Sequence, residues 1–78
     1  MSYRMCSLTE RTIVDNLMAG QFTARNFLRD MAGLAGVATS TMKRQLTAIY
    51  IVYGIDSMAF NPHVRLVYLR ALELGMLP

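Results

Sequence analysis

The chain is short of the groups that make covalent or metal-held structure. Its single cysteine, Cys6, has no mate, so no intrachain disulfide can form. Cys6 and the one histidine, His63, are too few for a Cys/His metal site. Five carboxylates accompany them, in no arrangement that orients a nucleophile or an acid–base pair. A helical domain of 78 residues also has little room for a catalytic cleft. Enzymatic activity, a metal, a cofactor and a small-molecule ligand are therefore not expected. Long apolar runs are absent too. The longest, Ala48 to Tyr53, falls far short of the roughly 20 residues that span a bilayer. The N-terminus has no signal-peptide apolar region, and a lone thiol suits a reducing compartment. A soluble, cytoplasmic protein without a membrane partner is the expectation. No segment alternates with period two, and there is no internal repeat or low-complexity tract.

What remains is apolar and mildly basic. The 78 residues make one small domain, which buries only about 60–65% of its unfolded surface. Against that, 54% of the residues are hydrophobic and 17% are charged, a balance that hints at a second buried surface such as a dimer interface. The net charge of +3 fits a nucleic-acid partner without specifying one.

The apolar spacing reads as four helices. Residues 1–7 show no period and read as a flexible start. Ser7 and Glu10 have capping-box spacing, with Thr9 the alternative cap, and Ile13, Val14, Leu17 and Met18 follow on one face up to Gly20. A second helix is expected after Thr23, with Ala24, Phe27, Leu28, Met31 and Leu34 or Ala35 inward, ending at Gly36. A third runs from about Thr39 to Tyr53 and stops at Gly54; Met42, Leu46, Ile49 and Tyr53 mark its apolar face. In the following loop, Met58 and Phe60 are expected to tuck under. Asn61-Pro62 starts the fourth helix, with Val64, Val67, Tyr68, Ala71, Leu72 and Leu74 inward and Gly75 as its cap. Most of the seven methionines are expected to fill the core.

The third helix has a second face. Ser40, Lys43, Arg44 and Thr47 recur at helical spacing opposite the apolar residues. A helix packed on one side with such a strip on the other fits the major groove of DNA.

Four stretches, in order, resemble the LuxR/GerE-type DNA-binding domain. They are Leu8-Thr9-Glu10-Arg11, then Met31 to Leu46 (MAGLAGVATSTMKRQL), then Ile49 to Ile55 (IYIVYGI), and Ala71 to Leu77 (ALELGML). The resemblance spans about residues 8–78. It implies an all-α, compact four-helix bundle containing a helix-turn-helix, whose third helix enters the major groove. Its implied function is sequence-specific binding of double-stranded DNA and regulation of transcription. Lys43, Arg44 and Thr47 are then the DNA-facing side chains, with Thr39, Ser40 and Thr41 at the helix start where free N–H groups suit a phosphate. Arg44 is the candidate for guanine readout, and Lys43 for a base or a phosphate. Gln45 has three candidate partners: a base edge, a phosphate or the backbone of the first helix. Arg25 and Arg29 are candidates for the flanking DNA backbone. The family's usual cap serine is replaced by Ala38, so Thr39 takes the cap role in this reading. Its usual His and Lys are Gln45 and Val52, and the segment from Gly20 to Ala32 is longer.

On the fourth helix, Leu66 and Leu69 are expected to project outward beside Arg70 and Glu73. This patch is the candidate homodimer interface, setting two reading helices on neighbouring half-sites. The opening Met-Ser and short preamble read as a complete small protein without a receiver domain. The alternative reading, motivated by Val52, the low charge and the longer second helix, keeps the fold but docks to a transcription regulator or RNA polymerase instead of DNA.

Overall fold

The computed structural model describes residues 2–20 and 26–76. Among them are five helices and no strand: α1 (Ser2–Met5), α2 (Leu8–Ala19), α3 (Phe27–Ala35), α4 (Thr39–Tyr53) and α5 (Pro62–Glu73). The four longer ones correspond to the four expected from the spacing, while the expected Thr23 start of α3 lies outside the described residues.

Local chemistry fixes the ends. Ser7 Oγ accepts the Glu10 N–H at 3.2 Å, and Glu10 Oε1 accepts the Ser7 N–H at 2.8 Å, closing a capping box on α2. Gly36, at φ 70°, turns the chain out of α3, and the Val37 N–H bonds back to Ala32 O at 3.0 Å. The exit from α4 repeats the device: Gly54 sits at φ 71° and the Ile55 N–H reaches Tyr50 O at 2.8 Å. In each case the next residue is apolar, half-buried Val37 or buried Ile55, and packs inward. Ala38, not Thr39, is the α4 cap position, and no side chain caps it. Asn61 enters α5 in the left-handed region at φ 52°, with Pro62 in the first turn.

The core joins Ile13, Val14 and Leu17 of α2 to Met31 and Ala32 of α3, to Met42, Leu46, Ile49 and Tyr50 of α4, and to Ile55 and Leu66. Its Cα radius of gyration, 11.6 Å, is close to the about 11.5 Å expected for a packed domain of this length. Of the methionines, Met31 and Met42 are core, whereas Met5, Met58 and Met76 are exposed.

Two expectations fail at the ends of the chain. Residues 2–5 are helical and fixed, not a loose preamble. The Tyr3 N–H donates to Glu73 Oε2 at 3.3 Å, its hydroxyl donates to the Asp15 carboxylate at 2.9 Å, and Arg70 lies 3.6 Å from its ring centre. Arg11 completes the clamp by donating to the carbonyls of Tyr3 and Arg4. Helix α5 is turned away from the face expected, keeping only Val67 and Ala71 of the expected set inward. Leu66 is 0% exposed and Leu69 half-buried, while Val64, Tyr68, Leu72 and Leu74 are exposed. The face that turns inward is His63, Leu66, Val67, Arg70 and Ala71. It has perfect helical spacing, but two of its members are polar. His63 is accommodated by stacking on Phe27 at 3.9 Å, and Arg70 by Tyr3 and Glu73. Met58 and Phe60 do not tuck under the loop, and Leu34 and Ala35 are not core; all four are exposed.

Candidate nucleic-acid interface

The turn Gly36-Val37-Ala38 places α4 directly against α3, the most extensively packed helix pair among the described residues. The apolar side of α4 is almost wholly shut away: Met42, Leu46 and Ile49 are at most 2% exposed. Its other side is therefore held rigidly outward. Thr39, Ser40, Lys43 and Arg44 are exposed, and Thr41, Gln45 and Thr47 half-exposed. The Thr47 hydroxyl donates to Lys43 O at 2.9 Å, leaving only its acceptor lone pairs for an outside group.

Electrostatically, this strip carries two cations and no internal counter-charge. Helix α4 contains no Asp or Glu. Among the described residues the ion pair is Arg70–Glu73, so neither Lys43 nor Arg44 is neutralised by a carboxylate. Glu10 shares a shallow hollow with Arg44, but one of its oxygens is engaged in capping α2. Lys43 leans to the other side, over a cleft shared with Phe27, Leu28 and Met58. The two cations thus flank the strip, with Ser40 and Thr47 between them. Gln45 faces a hollow lined by Thr9, Thr12 and Asn16 of α2, off the centre of the strip.

Arg29 is exposed on α3; Arg25 lies outside the described residues. Sequence reading missed two members of the surface. Ala48 and Ile51 are exposed and carry the strip on in apolar form toward its C-terminal end. Their signal was present: both lie at helical spacing from Arg44 and Thr47.

The expected dimer residues are engaged internally. Leu66 is buried. Glu73 accepts from Tyr53 Oη at 2.6 Å and pairs with Arg70 at 3.4 Å. Burial alone would raise the Glu73 pKa, but the hydrogen bonds from Tyr53, the Tyr3 N–H and Arg70 outweigh it and hold the carboxyl below its ordinary value. The Tyr53 hydroxyl is pushed up, by burial first and by its bond to Glu73 second. Arg70 Nε is buried without a partner. Burial likewise raises the Cys6 thiol and lowers His63, so His63 favours its neutral form. Among the described residues no three His, Cys, Asp or Glu side chains gather as a metal site, and no helix is long and apolar enough to cross a membrane.

No family model, curated protein or solved structure matches this chain. The fold is a small, compact, all-helical domain.

Proposed function

We propose that the protein binds double-stranded DNA through α4 and regulates transcription, using α3, the 36–38 turn and α4 as a helix-turn-helix. One observation carries this reading: Lys43 and Arg44 stand exposed and unneutralised on a helix without carboxylates, whose far side is locked into the core. A rigid element is what base readout needs, because side chains must meet base edges within tenths of an ångström. Arg44 reads guanine, Lys43 and the hydroxyls at the helix start hold phosphates, and Ile51 and Ala48 offer apolar contact to a thymine methyl.

The test is fluorescence anisotropy against mixed-sequence duplex at several salt concentrations. About 4–6 phosphate contacts per dimer give a log K against log salt slope near −4 to −5. A folded protein with no affinity at low salt defeats the reading.

A second reading rests on a different surface. Phe60, Val64 and Tyr68 recur every four residues along the outer face of α5 and its approach, and are 94%, 53% and 51% exposed. Such an apolar stripe is a protein-contact surface. Through it, α5 pairs with a second copy and so sets two α4 strips on neighbouring half-sites. The docking module without DNA binding would use the same stripe. Val64→Glu with Tyr68→Glu should yield a monomer by sedimentation; an unchanged assembly removes this face from the account.

A further inference from the structure

We propose that the cleft between the start of α3, the middle of α4 (residues 43–50) and residues 57–62 is a binding site for a small aromatic carboxylate. The cleft measures about 250 Å³. Since a dry cavity of about 150 Å³ takes benzene, a ring with a short acidic arm fits. Phe27, Leu28 and Met58 supply apolar walls, and a thioether beside a ring suits an aromatic guest.

The polar groups choose the charge. Tyr50 lines the cleft and is only 5% exposed as a residue, but its hydroxyl is not among the buried side-chain atoms left without a partner, so the O–H opens to the solvent of the cleft. With no hydrogen bond inside the protein, this phenolic O–H is free to donate to an acceptor that enters the cleft. Lys43 stands on the same cleft without a carboxylate, and Ser57 adds a second hydroxyl. One ammonium and one phenolic donor match a monoanion with two acceptor oxygens. A phosphate monoester carries more charge than a single lysine can offset.

The site also bears on regulation, and that consequence rests on the DNA-binding reading. A carboxylate on Lys43 neutralises one of the two cations of the α4 strip, so occupancy weakens DNA binding.

The binding test is run without DNA, so that it stands or falls separately. Amide NMR of the full chain is titrated with indole-3-acetate and, in parallel, with indole-3-acetamide. Saturable shifts confined to residues 27–28, 43–50 and 57–58 are expected. The acid should bind about tenfold more tightly than the amide, the difference between a charge-assisted and a neutral hydrogen bond. Lys43→Met, a change on an exposed side chain, should erase that preference. Tyr50→Phe, which keeps the ring in place, should weaken the acid. Equal affinities for acid and amide, or shifts scattered outside the cleft, or none at all, overturn the proposal. Anisotropy with DNA, with and without indole-3-acetate, then reads the coupling. If the protein binds the acid but not DNA, the site stands and the DNA reading falls.

Discussion

Arg11 and Arg70 at one end of the molecule, and Lys43 and Arg44 on α4, are two pairs of cations with opposite uses. Arg70 packs 3.6 Å from the Tyr3 ring centre and pairs with Glu73, and Arg11 bonds to the carbonyls of Tyr3 and Arg4. These two are consumed in holding α1 on the bundle. Lys43 and Arg44 hold nothing down. The composition counts all four alike as part of the net charge. The structure separates them by what each already touches, and a cation without an internal partner on a rigid support is the one available to an outside anion.

The comparison can be broken in several ways. The largest effect should come from the core residue between the two regions. Leu66→Ala, at a fully buried site, should lower unfolding free energy by about 2–5 kcal/mol in a urea melt. A loss below half a kcal/mol would return Leu66 to the surface, where the sequence pattern had put it. Next, Lys43→Ala with Arg44→Ala should reduce DNA affinity by roughly 10- to 100-fold while leaving stability within about 0.5 kcal/mol, since both are exposed. A comparable drop in stability would mean that these cations are structural after all.

The clamp should give a smaller, complementary result. Tyr3→Ala should lower the urea midpoint through the lost cation–π contacts and hydrogen bonds, with DNA affinity of the folded protein unchanged.

A pH dependence belongs to His63. Burial holds its pKa below the ordinary value of 6.5, so the fold favours the neutral ring. This contribution is fully present above about pH 6.5 and is lost as pH falls through the folded-state value. Urea midpoints should therefore fall between pH 7.5 and pH 5, a window above the titration of Glu73, and His63→Phe should flatten the slope. An identical slope in the variant would assign the effect elsewhere. The smallest effect is a gain. An added Cβ at Gly33 of α3 meets nothing within 4 Å, so Gly33→Ala should raise stability by about 0.5–1 kcal/mol. A loss there would point to a contact on the α3 surface that the isolated chain lacks.

The sequence made some of this legible and hid the rest for definite reasons. The α2 capping box, the stops at Gly36 and Gly54, and both bounds of α4 depend on residues a few positions apart, and each was readable. The inward face of α5 was readable only at Val67 and Ala71. Its spacing was present at His63, Leu66, Val67, Arg70 and Ala71, but a histidine and an arginine look like surface residues until their partners are known. Those partners, Phe27 and Tyr3, lie far away in the chain. Helix α1 was illegible for the same reason: four residues have no period, and Tyr3 is anchored to Glu73 across 70 positions. In the candidate site the charged strip was readable because it is a helix face. The cleft beside it was not, since Phe27, Lys43 and Met58 meet only once three segments have packed.

The most direct test of the account sets the two cation pairs against each other at equal charge. Wild type, Lys43→Gln/Arg44→Gln and Arg11→Gln/Arg70→Gln are compared for duplex DNA binding by anisotropy at two salt concentrations, with folding checked by circular dichroism in each sample. Both double variants remove two positive charges. The account predicts that the α4 variant loses salt-sensitive binding while staying as stable as wild type, and that the clamp variant, where folded, binds as wild type does but melts earlier. Equal losses of binding in both variants would contradict it, because affinity would then follow net charge and not the α4 strip.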